Sequence, residues 1–174
     1  MRLDKAKAWV HHQVACPHCI SQIKETTMNI ELKQACDTDK PYLLNLRLQT
    51  MVEHLEREGI FLSDEAHLCR LEEDYASSHL LIIDKVTVGT LKFRLLNREV
   101  EIMQLQIDPQ FQKQGLGRNA LRHMFEQYPD LPFSLTVLKH NPARHLYFAL
   151  GFRTYNEDEF EYHMRRPAQH TLMA

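Results

Sequence analysis

The spacing of apolar residues along the chain predicts a mixed α/β fold. Two-residue alternation or a compact apolar run marks seven strands, near residues 28–33, 80–83, 90–95, 100–107, 133–137, 152–155 and 160–164. Helical spacing marks four helices, which begin near Asp37, Asp64, Leu116 and Asn141. The predicted order is β-α-α-β-β-β-α-β-α-β-β, a mixed sheet with helices on its faces.

Two of the predicted helices have a definite apolar face. In the first helix this face consists of Leu44, Leu48, Met51 and Leu55. In the third helix it consists of Leu116, Ala120, Leu121, Met124 and Phe125. We expect both faces to pack against the sheet.

The strand near residues 100–107 changes the phase of its alternation. Val100 and Ile102 are apolar at even positions, whereas Met103, Leu105 and Ile107 are apolar at odd positions. A strand keeps a period of two unless an extra residue is inserted. The phase change therefore predicts a β-bulge between Ile102 and Met103.

A glycine-containing turn, residues 112–117, joins this strand to the third helix. Gly115 and Gly117 let the backbone approach a ligand closely, and a helix N-terminus favours phosphate oxygens. Two alternatives are a plain strand-to-helix turn and a dinucleotide site, since Gly115-Leu116-Gly117-x-x-Ala120 fits the looser dinucleotide motif. Against the dinucleotide site, the turn does not follow the first strand and no acidic residue ends a following strand.

Composition adds mainly exclusions. The 174 residues are 44% hydrophobic and 25% charged with a formal net charge of −2, as in an ordinary single globular domain. This balance provides no general attraction to nucleic acid or to an anionic membrane. No apolar run reaches the ~20 residues that span a bilayer, and the N-terminus lacks an apolar signal core. We therefore expect a cytoplasmic protein.

Residues 1–27 differ from the rest, so we divide the chain into an N-terminal extension (1–27) and a domain (28–174). The extension carries Cys16-Pro17-His18-Cys19 with His11 upstream. Such a pair is compatible with a zinc site, a redox dithiol or an incidental extension. A single Cys-x-x-Cys pair outside a βαβ unit favours the incidental interpretation, and we expect no metal centre.

Two motifs resemble those of the GNAT superfamily of N-acetyltransferases. Gln112-x-x-Gly115-x-Gly117 fits the family's acyl-CoA signature of Gln or Arg, two residues, Gly, one residue, and Gly or Ala. Residues 141–152 are close to the family pattern Asn-x-x-Ala-x-x-x-Tyr-x-x-x-Gly-Phe, with Ala143 two rather than three positions after Asn141. The resemblance covers about residues 29–165. It implies the GNAT fold with a splayed central sheet.

The resemblance implies acetyl-CoA as acyl donor, with pantetheine in the gap of the splayed sheet. It assigns cofactor contacts to the backbone of Leu105, Gln106 and Ile107, to the loop residues Gln112, Lys113, Gln114, Gly115, Leu116, Gly117 and Arg118, and to Asn141. It also implies Glu101 as general base and Tyr147 as general acid. From the residues alone, Asn141 is also a good N-cap, Glu101 an exposed strand residue and Tyr147 part of a buried helical face.

These features predict an N-acetyltransferase that moves acetyl from acetyl-CoA to a primary amine by direct attack in a ternary complex. No cysteine lies in either motif, which disfavours an acyl-enzyme. The alternative is an acyl-CoA-binding regulatory module without turnover. The acceptor is a small-molecule or peptide amine, and Glu56, Glu58, Asp64 and Glu65 make its expected site mildly acidic. A homodimer stays open.

Overall fold

A computed structural model describes residues 29–169, so the predictions for the extension, including Cys16 and Cys19, lie outside the described residues. The strands are β1 (Ile30–Gln34), β2 (Ser78–Ile83), β3 (Val86–Leu96), β4 (Glu99–Ile107), β5 (Phe133–Leu138), β6 (Arg153–Glu157) and β7 (Glu161–Arg166). The helices are α1 (Lys40–Arg57), α2 (Asp64–Glu72), α3 (Leu116–Gln127) and α4 (Ala143–Ala149). The predicted element order and the mixed α/β class are confirmed.

The seven strands form one sheet in the order β1-β2-β3-β4-β5-β7-β6. Every neighbouring pair is antiparallel except β4 and β5, which are parallel. These two strands pair only from Val100↔Phe133 to Ile102↔Leu135 and then separate. The splayed central sheet is therefore confirmed, and the separation begins at Ile102.

The predicted bulge lies at the point of separation. Lys92 pairs with Gln104 and Phe93 pairs with Ile102, so Met103 is the extra residue on β4. A bulge bends its strand and increases the local twist. The bulge thus contributes to turning β4 away from β5, and it explains the change of apolar phase.

Helices cover both faces of the sheet. On one face α3 and α4 pack on the central strands, with Leu121, Met124 and Tyr147 in the main core. On the other face α1 and α2 pack on β2 through Leu43 and Leu71. The predicted buried face of α3 is confirmed, since all five of its apolar residues are buried.

The buried face of α1 differs from the prediction. The fully buried residues are Leu43, Leu46 and Arg47, while the predicted face from Leu44 to Leu55 is only half-buried. The reason is that the later part of this face lines an open cleft rather than the sheet. Within residues 29–169 no helix is both long and apolar enough to cross a membrane.

Candidate active site

A cleft opens where β4 and β5 separate, and we call it the β4–β5 cleft. Residues 102–105 of β4 line one wall and residues 135–138 of β5 line the other. Met51 and Leu55 of α1 and Tyr147 of α4 complete it, and its volume is about 250 Å³. The parallel strands thus leave a gap in which an extended ligand can take the place of a strand.

The β4 edge facing this cleft has backbone groups with no strand partner. The Asp108 N–H donates to the Val88 carbonyl on the β3 side at 2.9 Å. Because backbone groups alternate along a strand, the N–H groups of Leu105 and Ile107 point the other way, towards the cleft. The N–H and carbonyl groups of Gln106 point towards β3 instead. Of the three residues predicted to contact pantetheine, Leu105 and Ile107 therefore have backbone groups on the cleft side, whereas Gln106 does not.

The loop between β4 and α3 has the geometry of an anion site. Lys113 and Gly115 have left-handed backbones, with φ of 61° and 77°, and such turns direct successive N–H groups to one point. The Asn119 N–H donates to the Gly115 carbonyl at 3.1 Å as the first bond of α3. The N–H groups of residues 116–118 precede that bond and are therefore available at the positive end of the helix.

Charge also suits the diphosphate of coenzyme A at this loop. Lys113 is exposed and Arg118 is half-buried. None of the ion pairs found within residues 29–169 involves either side chain. Both cations are therefore free of a carboxylate that would compete with a phosphate.

Two glutamine side chains of the loop make local bonds. Gln112 Nε2 donates to the Ile107 carbonyl at 2.9 Å, and Gln114 Nε2 donates to the Gln110 carbonyl at 3.5 Å. The first bond ties the loop to the end of β4. The structure thus gives Gln112 a supporting role, while the cofactor contacts of both glutamines stay predictions.

Tyr147 reaches the β4–β5 cleft from α4. Its side chain is buried and packs edge-on against Phe152, with ring centroids 5.8 Å apart. Burial raises the pKa of the Tyr147 phenol to about 12. The group therefore stays protonated at neutral pH and holds a proton at the cleft wall.

Asn141 lies at the start of α4 and also lines the cleft. Its Oδ1 accepts a hydrogen bond from the Ala143 N–H at 2.9 Å. The capping role inferred from the sequence is thus present in the structure. The side-chain amide N–H groups of Asn141 take no part in this cap, and their contact with the cofactor stays a prediction.

Glu101 is placed differently from Tyr147. Its Oε2 accepts from Arg94 Nε at 2.5 Å, and Arg94 Nη1 also donates to Asp74 at 3.2 Å. The strand register puts Glu101 on the same sheet face as Lys92, which lines the cleft. Glu101 itself is not among the lining residues, so the structure does not bring the two predicted catalytic groups together.

The structure adds charged lining residues that sequence reasoning missed, namely Arg47, Arg70, Lys92, Glu73 and Glu161. Lys92 falls in the polar phase of β3, yet it is buried because α2 covers that face. The predicted helices on both faces of the sheet were the one feature of the sequence that indicated burial of such a polar strand position. In the described part of the chain, no group of three or more His, Cys, Asp or Glu side chains is arranged to hold a metal ion.

Several solved structures share this fold. An acetyltransferase from Thermus thermophilus is 22% identical, with a TM-score of 0.65 over 80% of this chain and 97% of that chain. The PaiA N-acetyltransferase from Thermoplasma acidophilum, in complex with coenzyme A, is 16% identical, with a TM-score of 0.62 over 80% and 99%. The ribosomal-protein-S18-alanine N-acetyltransferase from Escherichia coli is 18% identical, with a TM-score of 0.60 over 80% and 94%.

Sequence comparison identifies the family. The sequence matches none of the curated proteins with which it was compared. The profile of the acetyltransferase (GNAT) family matches residues 41–152, which include both motifs and most of the cleft. The chain therefore belongs to the GNAT family and is an acyl-CoA-dependent acetyltransferase.

Proposed function

We propose that the protein transfers acetyl from acetyl-CoA to a primary amine by direct attack in a ternary complex. The observation that carries the proposal is the β4–β5 cleft, which has an open backbone edge on one wall and a buried neutral phenol on the other. Gly117, at the start of α3, lies close to Leu105 and Leu146. A Cβ on Gly117 would be 3.7 Å from the side chain of Leu105 and 3.6 Å from that of Leu146. The anion site at that helix thus adjoins the β4 wall of the cleft, which Leu105 lines.

The residues divide the chemistry between them. Acetyl-CoA supplies the acetyl group as a thioester, and the β4 N–H groups at Leu105 and Ile107 are suited to hold its pantetheine arm and carbonyl oxygen. The amine nitrogen forms a bond to the carbonyl carbon as the carbon–sulfur bond breaks. Tyr147 donates its proton to the departing sulfur, and a base takes the proton released by the amine. None of the described cleft-lining residues is a cysteine, which supports direct attack.

The base is proposed to be one of two carboxylates. Glu101 remains the candidate from the sequence and would act through water, because Arg94 occupies one of its oxygens. Glu161 lines the cleft directly, and burial, with a smaller contribution from Asp158, raises the pKa of its carboxyl group. The variants Glu101→Gln and Glu161→Gln separate them. Only loss of the true base should lower kcat and remove a carboxyl ionisation from the acidic limb of the pH profile of kcat/KM, while the ionisation of the amine remains. Glu99→Gln, two residues before Glu101, is the matched control.

Thiol release with a panel of primary amines tests the proposed activity. We expect acetyl-CoA to yield free coenzyme A and an N-acetyl product in equal amounts with some amine, above the rate of hydrolysis. The opposite result, cofactor binding without amine-dependent thiol release across the panel, would identify a non-catalytic acyl-CoA-binding module instead.

A further inference from the structure

The β4–β5 cleft is lined by cations from three different elements. Arg47 comes from α1, Arg70 from α2 and Lys92 from β3. We propose that the amine acceptor is a small amino carboxylate, whose carboxylate binds to Arg47 with support from Arg70 and Lys92. This inference rests on the proposed function and names its substrate class.

Arg47 is the main group proposed for the carboxylate because it is buried and, among the described residues, its Nε has no hydrogen-bond partner. It is 7% exposed, and its Nε finds no hydrogen-bond acceptor within residues 29–169. Burial lowers the pKa of Arg47, and the neighbouring charge of Arg70 lowers it further against the opposing effect of Glu73. A buried guanidinium is costly unless an anion pairs with it, and its planar donor pairs match a carboxylate.

Lys92 adds a second buried cation that is oriented but not neutralised. It is 4% exposed, and its Nζ donates to the backbone carbonyls of Leu71, at 3.4 Å, and Glu73. Two carbonyls leave the third ammonium donor available. Nothing in the described part of the chain forms an ion pair with Lys92, Arg47 or Arg70.

The carboxylates of the same cleft are Glu73 and Glu161, so its lining holds three cations against two anions. The four acidic residues behind the expectation of a mildly acidic acceptor site do not line it. Of these, Glu58 accepts from the His140 N–H at 2.9 Å, and Glu56, Asp64 and Glu65 also lie outside the lining. The mildly acidic character expected of the acceptor site is therefore not found in the lining of this cleft.

The size of the cleft favours a small molecule. Its volume of about 250 Å³ must hold the acyl end of the donor as well as the acceptor. Typical small-ligand pockets occupy roughly 300–1,000 Å³, so little room is left for an extended peptide. Glu161 and the three cations line the same cleft. A compact molecule with both an amine and a carboxylate can therefore place its amine near Glu161 and its carboxylate near the cations.

The test compares matched acceptors that differ only in the carboxylate. Amino acids with amine and carboxylate one to three carbons apart are assayed with acetyl-CoA beside their amides and decarboxylated amines. We expect at least one amino carboxylate to have a kcat/KM about tenfold or more above its amide. Arg47→Gln should remove that preference and the more exposed Arg70→Gln should reduce it, both with an unchanged KM for acetyl-CoA. Arg57→Gln, on the outer side of α1, should preserve the preference.

Calorimetric binding to the protein loaded with coenzyme A gives a readout that does not need turnover. Amino carboxylates should bind the wild type about tenfold more tightly than their amides, Arg47→Gln should abolish the difference, and Arg70→Gln should reduce it. Equal affinity for carboxylates and amides, a uniform loss with every acceptor, or a preference for acidic peptides over amino carboxylates would overturn the inference. Selective binding without thiol release would support it while refuting the proposed activity.

Discussion

Tyr147 shows at the residue scale how one side chain serves packing and chemistry. Its ring belongs to the main core and contacts Phe152, while its position on the cleft wall makes the phenol available to a ligand. Burial keeps the phenol neutral, which is the state that a proton donor needs. The two interpretations that the sequence left open are therefore compatible.

Replacement of Tyr147 by Phe tests the proton-donor role. The ring and its packing are retained, so we expect kcat to fall about 100-fold, a typical contribution of a general acid, with little change in the KM for acetyl-CoA. Tyr155→Phe is the control, because Tyr155 is 65% exposed and does not line the cleft. An unchanged kcat would remove Tyr147 from the mechanism.

The raised pKa of Tyr147 also predicts a dependence of stability on pH. Its pKa of about 12 in the folded state exceeds the ordinary 10.0, so folding is favoured by the protonated phenol. That contribution is complete below pH 10 and is lost as pH rises through 12. Between pH 8 and pH 11, the free energy of unfolding should fall by about 1 kcal/mol more in the wild type than in Tyr147→Phe. Denaturant titrations at both pH values measure it, and parallel losses in both proteins would contradict it.

At the scale of elements, the two motif glycines, Gly115 and Gly117, have different backbone conformations. Gly115 has a φ of 77° and caps α3, whereas Gly117 has an ordinary helical backbone. A Cβ at Gly117 would make only normal contacts, at 3.6 Å or more, with Leu146, Leu105 and Ile107. The conformational demand of the loop thus lies at Gly115.

Alanine at these two positions makes a matched pair. Gly115→Ala should cost about 1 kcal/mol through the left-handed backbone, lowering Tm by about 2–4 °C, and should weaken acetyl-CoA binding. Gly117→Ala should leave Tm unchanged or slightly higher. Thermal denaturation with and without coenzyme A measures both effects. Equal destabilisation by the two changes would contradict a conformational cost confined to Gly115.

The bulge in β4 links an element to the shape of the whole molecule. Met103 is the inserted residue, and the β4–β5 pairing ends beside it at Ile102. Val100 and Ile102 before the bulge and Leu105 after it all pack on the α3 side, because the bulge changes the phase. One inserted residue therefore keeps the apolar side chains of β4 on the α3 side of the sheet while β4 turns away from β5.

Deletion of Met103 should be far more damaging than its replacement. Without the extra residue, either Val100 and Ile102 or the residues after them must leave their face, and each buried aliphatic side chain lost costs about 2–5 kcal/mol. We expect the deletion to prevent folding and Met103→Leu to retain Tm within a few degrees. Circular dichroism melting distinguishes them, and a folded deletion variant would show that the bulge is dispensable.

On the scale of the whole molecule, the cleft is assembled from distant parts of the chain. Arg47, Lys92 and Glu161 come from α1, β3 and β7, and they meet only because β4 and β5 diverge between them. The proposed acceptor preference is thus a property of the assembled sheet and its two helix layers. No single segment carries it.

The sequence by itself determined the features that depend on local free energy. Apolar periodicity predicts the element order, the phase change predicts the bulge beside Ile102 and Met103, and the two glycines at 115 and 117 predict the turn before α3. Each of these depends on residues a few positions apart.

Only the tertiary structure decided which side chains converge. It paired Glu101 with Arg94, buried Lys92 beneath α2 and left Arg47 unpaired at the cleft. These outcomes depend on strand register, helix placement and the splay of the sheet, which bring together residues that are far apart in the chain. Periodicity carries no information about those distances, so the sequence predicts the loop before α3 but not the convergence of Arg47, Lys92 and Glu161 at the cleft.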